Sequence, residues 1–548
     1  MRRPTWKSFP IATLLLLTFP SVPAHAATPQ IDHLSPWRGP VGARVSVLGA
    51  GLAGTTRVTF GSVEAPFRTV SDSKIVTHVP DSASSDRVTV ETGEGSALSP
   101  QAFVVQPNIV LILTDDQRAE QITQMPVLES TIAGNGVTFN KGYVVDPLCC
   151  PSRASILTGR YSHSTDIYAN GPPHGGFQTF TDEGEDTSTV ATWLQGAGYR
   201  TALVGKYLNG YDGDAATYVP PGWNVWRAFA GATPSSDEGL YYDYSMSING
   251  HPQFRGNQPS DYSTDVLTQD ATSFIAGTPA SRPLFLYFAP TAPHIPAKPE
   301  ADYLNACPQV QPNRPPSYNE QDVSDKPAYI RSLPPWSPQM IAQQDGFYVR
   351  QCRTLQSVDD GIGAMEDALR ASGRLSSTFF VFLTDNGNLN GEHRWAKKLV
   401  PYEESIHVPF VIRYDPLTSG TARTDDQHFV LNVDLAPTFA DLAGISAPGA
   451  EGTSLLPLID GEEQPTWRSD FLVEHWNLHS KVPTYCGVRN DTALYVEYGT
   501  GERELYDLAA DPFELQNVDG DPAYASLEAS MHDRLVELCS PPPPGFAP

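Results

Sequence analysis

The chain changes its hydrophobic rhythm twice. Between Thr28 and Val105 apolar and polar residues alternate in short runs, Arg44-Val45-Ser46-Val47-Leu48, Arg57-Val58-Thr59-Phe60 and Arg87-Val88-Thr89-Val90-Glu91, divided by Gly, Pro and Ser turns. Period-two alternation buries one face of each strand and predicts a small β-sandwich over residues 28–105. From Pro107 the alternation gives way to continuous apolar runs at 108–113, 284–288 and 378–383, as for strands buried on both faces. A further strand is expected at 201–204, and helices at 190–196, 262–275 and 340–369. Strands alternating with helices predict an α/β sandwich around a largely parallel sheet over 107–464, with ligands gathered at the carboxyl ends of its strands. Short strands return near 472–474, 486–489, 493–497 and 504–508, and a closing helix is expected at 523–538. They predict a small antiparallel sheet over 465–540, followed by a loose Pro-rich tail at 541–548. The Pro- and Gln-rich insert from Cys307 to Trp336 reads as a long surface loop.

At 548 residues the chain exceeds what one core organises. Its 36 Lys and Arg against 62 Asp and Glu leave a formal charge of -26, which argues against nucleic acid as a partner. A small anionic group held by a few Arg, Lys and His side chains is compatible with that balance. Arg2, Arg3 and Lys7, the apolar run 11–19 and Ala24-His25-Ala26 form the three parts of a secretory signal over residues 1–26. No later run is long enough to span a bilayer, so the expectation is an exported protein without a membrane span. Export permits disulfides. Among the six cysteines the favoured pairs are Cys486 with Cys539 and Cys307 with Cys352, although spacing alone leaves the connectivity open.

Two strand ends carry acidic clusters, Thr114-Asp115-Asp116-Gln117 and Thr384-Asp385-Asn386-Gly387. Adjacent carboxylates after buried parallel strands suit a hard cation that takes oxygen ligands, and the plain alternative is an Asp pair capping a turn. Between them lies Leu148-Cys149-Cys150-Pro151-Ser152-Arg153, continuing as Ala154-Ser155-Ile156-Leu157-Thr158-Gly159. This stretch resembles the signature of the sulfatase family. The resemblance implies an alkaline-phosphatase-like α/β sandwich and conversion of Cys149 to formylglycine by a formylglycine-generating enzyme. It also implies a calcium ion, with magnesium possible, between Asp115, Asp116, Asp385 and Asn386, and residue 149 as a further ligand. A helix beginning near Pro151 would turn its amides toward sulfate oxygens, with Arg153 as a brace.

The family resemblance extends along the chain. Gly205-Lys206-Tyr207-Leu208-Asn209 matches a Gly-Lys-Trp-His element at Lys206 but places Leu208 where the family has histidine. Asn209 is then a candidate substrate contact, and His163 a candidate substitute. Pro293-His294 matches the position of a histidine directed at the ester. Lys398, four residues before Tyr402-Glu403, matches the family's second lysine, with Lys397 as the near miss. A lysine near cations is expected to have a lowered pKa, suiting it to protonate the leaving alcohol. His475 and Trp476 are candidates for the substrate rim. The motif forms are similar to the N-acetylglucosamine-6-sulfatase and extracellular endosulfatase branch, which implies a sulfated carbohydrate substrate, with aryl sulfates as artificial ones. Separately, Ser35-Pro36, Gly39-Pro40-Val41-Gly42 and Gly49-Ala50-Gly51-Leu52 resemble the IPT/TIG immunoglobulin-like module. Two rival readings remain: a phosphate or phosphonate monoester hydrolase of the same superfamily, and an inert exported carbohydrate-binding protein.

Overall fold

The structure, a computed structural model, describes residues 1, 28–81, 83–232, 239–418, 420–461, 464–478 and 480–548. The expected signal segment falls, apart from Met1, outside the described residues.

The alternating runs at the start pair into two sheets. One holds Gln30–Ser35, Arg44–Ala50, Lys74–His78 and Phe67–Ser71; the other holds Arg38–Gly39, Gly95–Val105, Asp86–Thr92, Thr55–Phe60 and Val63–Glu64. Val45, Val47, Val58, Phe60, Val88, Val90 and Phe103 meet between them, and Phe60 and Phe103 pack edge-to-face at 5.2 Å. The exposed partners on these strands, such as Arg44 and Arg87, are the polar half of the alternation.

The continuous apolar runs form the centre of a ten-stranded sheet. Val225–Ala232, Arg200–Gly205, Leu284–Ala289, Asn108–Thr114 and Thr378–Thr384 lie side by side and parallel. Antiparallel strands extend both edges: Tyr244–Ile248 and His251–Arg255 on one side, Phe410–Arg413 and Val137–Phe139 on the other, where Arg423–Asp425 then pairs parallel to Val137–Phe139. Ile109, Leu111 and Leu113 face a core that contains Ile156, Leu194 and Phe439, from three helices on one side. Val110 and Ile112 face Leu267, Phe274, Leu355 and Ile362, from the helices Ser263–Ala276 and Pro338–Ala371 on the other. Each of these strand side chains is fully removed from water, worth roughly 1.5–3 kcal/mol apiece, which is why no polar residue interrupts the run. Ser337 caps the 34-residue helix by accepting from the Met340 amide, with Pro338 in its first turn.

The terminal part is an antiparallel sheet of Asp470–His475, Tyr485–Asn490, Ala493–Tyr498 and Arg503–Asp507, covered by the helix Ala525–Leu538. Cys486 is joined to Cys539 and Cys307 to Cys352, while Cys149 and Cys150 are unpaired and buried.

Two expectations need correction. The insert from Cys307 to Trp336 is not a surface loop throughout: Val323, Tyr329 and Ile330 are buried in the core beneath the terminal sheet. Its Pro and Gln content hid that short apolar seam. The tail is not loose either, since Phe546 is buried against the closing helix and the Trp476 indole N–H donates to the Pro544 carbonyl at 3.1 Å. No helix among the described residues is long and apolar enough to cross a membrane.

Candidate active site

The parallel strands deliver their chemistry to one end. Asp115 and Asp116 follow Asn108–Thr114, Lys206 follows Arg200–Gly205, His294 lies just beyond Leu284–Ala289, and Asp385 and Asn386 follow Thr378–Thr384. Gly205 ends its strand at φ +119°, and a Cβ there would stand 2.0 Å from the Ala289 carbonyl oxygen, so this turn admits only glycine. Asp116 also takes a left-handed backbone, at φ 61°.

The helix Cys149–Thr158 points its first residue into this cluster, and all ten of its residues are buried. Leu148 enters it in extended conformation. Pro151 sits in the first turn, where a missing N–H costs no intrahelical bond. Gly159 closes it at φ 73°, with Ala450 and Pro437 crowding the space a Cβ would need. The amide of Cys150 donates to Asn170 Oδ1 at 3.0 Å, which fixes the start of the helix.

Cys149 Sγ lies 3.7 Å from Asp115 Oδ1 and 2.7 Å from Lys398 Nζ. Lys398 also pairs with Asp116, and Lys206 pairs with Asp115. Arg153, fully buried, donates Nε to Asp385 Oδ2 at 2.8 Å, Nη1 to the Lys206 carbonyl at 2.9 Å and Nη2 to Asp115 Oδ2 at 3.4 Å. Three carboxylates therefore face three permanent cations. His294 Nε2 stands 3.6 Å from Asp116 Oδ2, and its Nδ1 is 2.7 Å from the Ile295 carbonyl. A carbonyl only accepts, so Nδ1 carries a proton and Nε2 is the ring nitrogen that faces Asp116.

Burial alone would raise both aspartates. Lys206, His294 and Arg153 more than offset it at Asp115, and Lys398 and His294 do so at Asp116, so both carboxyls sit below their ordinary value. Burial pushes the Cys149 thiol up to about 12 against the pull of Lys206 and Lys398, so an unmodified side chain stays a thiol near neutral pH. For Lys398 the sequence expectation was a lowered pKa. Burial does act in that direction, but Asp116, Cys149 and Asp115 outweigh it and hold the ammonium above its usual value.

The residues fit a hard cation. Asn386 Nδ2 donates to Asp116 Oδ1 at 2.7 Å, while Asn386 Oδ1 is buried without any hydrogen-bond partner. An orphaned amide oxygen beside Asp115, Asp116 and Asp385 completes an all-oxygen donor set. One ligand atom each from Asp115, Asp116, Cys149 and His294 lies within 4.8 Å of the others.

This cluster floors a cavity of about 390 Å³. Asn209, whose Oδ1 is buried and unpartnered, lines it, as do Asn170, Asn388, Gln344 and Lys397. The wall that sequence reading missed is the exposed side of the long helix, which presents Gln343, Phe347 and Arg350 at i, i+4 and i+7. That spacing was visible, but nothing in the sequence showed which helix face the strand ends would meet.

Three expectations lie elsewhere. Leu208 is buried in the hydrophobic core. His163 does not take up the vacated histidine role, because its amide and Nδ1 bind Glu474, each at 3.1 Å, and it is absent from the cavity wall. His475 is not on the rim of this cavity: it is 1% exposed beside Leu148, Asn170 and Trp476, and neither ring nitrogen has a partner.

Comparison with known proteins agrees with this geometry. A model of the sulfatase family matches residues 107–445, one for the N-sulphoglucosamine sulphohydrolase C-terminal region matches 391–540, and one for the IPT/TIG domain matches 29–105. The N-acetylglucosamine-6-sulfatase of Homo sapiens is 32% identical over 484 residues, covering 80% of this chain and 85% of that protein. The extracellular sulfatase SULF-1 homolog of Drosophila melanogaster is 33% identical over 67% of this chain, which spans only 33% of that longer protein. Among solved structures, BT4656 in complex with its substrate D-glucosamine-2-N,6-O-disulfate superposes with TM-score 0.66 at 24% identity, covering 79% of this chain and 98% of the other. The phosphonate monoester hydrolase of Agrobacterium radiobacter superposes with TM-score 0.63 at 20% identity, covering 80% and 96%. Both likenesses establish the fold alone. The sequence match runs through the α/β part and most of the human relative, and on that footing the chain belongs to the sulfatase family of sulfuric ester hydrolases.

Proposed function

We infer that the exported protein removes sulfate from a sulfated sugar such as 6-O-sulfated N-acetylglucosamine, after a formylglycine-generating enzyme has converted Cys149. The observation that carries this reading is the meeting of Cys149 with Asp115, Asp116, Lys206 and Lys398 at the buried floor of an amide-lined cavity. Once Cys149 is converted, the place of its Sγ would be taken by the oxygens of a hydrated aldehyde, which would supply a nucleophilic hydroxyl and a second hydroxyl for sulfate release. Asp115, Asp116, Asp385 and Asn386 would hold calcium, which neutralises charge on the sulfuryl oxygens when bound.

The chain's own groups do the rest. Lys206 and Lys398, fixed by the two aspartates, present ammonium protons to sulfate oxygens where negative charge gathers. Arg153 ties Asp115 and Asp385 together and so fixes the spacing of the two strand ends. With Nδ1 pinned by Ile295, a protonated His294 aims its Nε2 proton into the cavity, toward the departing sugar oxygen. Asn209 offers an unused amide oxygen to a sugar hydroxyl, and Phe347 a flat apolar face to a ring. The cavity's volume suits a terminal sugar with its ester better than a segment of a long polyanion, in keeping with the charge of -26.

Released sulfate is measured on glucosamines sulfated at O6, O3 or N2 and on an aryl sulfate, with phosphate and phosphonate esters as competitors. The 6-O-sulfate should lead in kcat/KM. A lead by a phosphonate ester would move the protein to the other hydrolase class of this fold.

A further inference from the structure

A second cluster lies on the other side of the loop that leads to Lys398. His393 Nε2, Glu404 Oε2 and Glu514 Oε1 are all buried, and none has a hydrogen-bond partner. One ligand atom from each residue lies within 4.8 Å of the others, and His393 Nε2 stands 4.0 Å from Glu514 Oε2. Among the described residues neither Glu404 nor Glu514 forms an ion pair with lysine or arginine. The nearby bases are engaged: Arg118 with Glu392 and Glu120, Arg489 with Glu403, and Lys326 with Glu320 and Asp325.

His393 is set up as a ligand rather than as a donor. Its Nδ1 lies 2.7 Å from Glu320 Oε2, so Nδ1–H donates to that carboxylate and a bare lone pair is left on Nε2, facing the two glutamates. Three ligand groups converge without hydrogen-bonding one another, and burial pushes the carboxyls of Glu404 and Glu514 above their usual value, with no ion pair among the described residues to hold them ionised. An unpaired buried acceptor costs about 1–3 kcal/mol, and carboxylates more. A carboxylate that orients a histidine through its far nitrogen is the outer-shell arrangement of metal sites.

We propose that His393, Glu404 and Glu514 bind a divalent transition-metal ion, Zn²⁺ by preference, separate from the cation site beside Cys149. One imidazole nitrogen with two carboxylates suits zinc, whereas calcium takes six to eight oxygens. Small side-chain rotations bring the three atoms to bonds of roughly 2.0–2.2 Å. Glu404 also lines a cavity of about 190 Å³ with Arg118, Glu403, His407 and Phe513, which brings solvent to one of the three ligands. The ion would tie the loop carrying His393 to the short helix Glu403–Ile406 and to the turn carrying Glu514, fixing the segment that ends at Lys398.

The test uses the full chain bearing Cys149→Ser and Asp116→Asn, which disable the other ligand cluster. After chelation and dialysis it is given Zn²⁺ alone, desalted, and assayed for bound zinc and for the zinc-induced rise in melting temperature. One zinc per chain and a higher melting temperature are expected. Glu514→Gln and Glu404→Gln should each weaken zinc at least about tenfold, and Glu320→Gln, which touches the histidine and Lys326 but is no ligand itself, about 10–100-fold. Glu404 is only half-buried, so its variant carries the same prediction should Glu514→Gln fail to fold. Failure of the parent to retain zinc, or equal zinc affinity in parent and all variants, would overturn the site.

Discussion

Arg153→Lys is the most instructive perturbation of the active site. The substitution keeps the charge and loses the fork. Arg153 makes three contacts at zero exposure, to Asp385, the Lys206 carbonyl and Asp115. One ammonium on a shorter, differently aimed stem reaches one of these well and leaves a buried carboxylate and a buried carbonyl short of a donor. A hydrogen bond to a charged group is worth about 1.5–3 kcal/mol and an unsatisfied buried carbonyl about 1–3 kcal/mol, so the loss is about 3–5 kcal/mol in stability. The same contacts fix the separation of the Asp115 and Asp385 strand ends, and about 3 kcal/mol of misplacement in the transition state lowers kcat/KM by about 100-fold. Urea denaturation and initial rates on an aryl sulfate measure the two effects. A variant within threefold of the parent rate and unchanged in its urea midpoint would refute the claim that Arg153 sets the geometry.

Other consequences can be measured as directly. Burial lowers the His475 pKa to about 3. The unfolded chain therefore binds a proton that the folded chain refuses, and stability falls as pH drops below about 6.5, by about 2 kcal/mol at pH 5. His475→Phe should flatten that part of the pH–stability curve; an unchanged slope contradicts the assignment. The Cys486–Cys539 bridge spans 53 residues and ties the terminal sheet to its closing helix, so its removal by a double Cys→Ala change should cost about 4 kcal/mol. Chelation should abolish sulfatase activity with the fold retained by circular dichroism, and added calcium should restore it; full activity after exhaustive chelation would exclude the metal.

Much of this architecture was legible because burial writes a pattern. A strand covered on both faces must be apolar throughout, so Asn108–Thr114 and Thr378–Thr384 announced a central parallel sheet, and the acidic residues at their ends announced where ligands gather. The start of the helix Cys149–Thr158 was legible for a different reason: Pro151 belongs in a first turn, where its missing N–H costs no bond. What stayed hidden depended on juxtaposition. Gln343, Phe347 and Arg350 read as one more polar helix face until the fold set them over Cys149. Val323, Tyr329 and Ile330 were masked by prolines around them, although they complete the core under the terminal sheet. His163 and His475 have unremarkable sequence surroundings, and only tertiary packing assigns one to Glu474 and the other to an apolar corner. The direction of the Lys398 shift was misjudged because a lysine's partners, here Asp116 and Cys149, come from strands and helices far away in sequence.

Mass analysis of the tryptic fragment 142–153, taken from the active protein, bears most directly on the chemistry at residue 149. An aldehyde, trapped as its hydrazone and lost in Cys149→Ala together with turnover, is the predicted result. A fully active preparation in which that fragment carries an intact thiol would contradict the account.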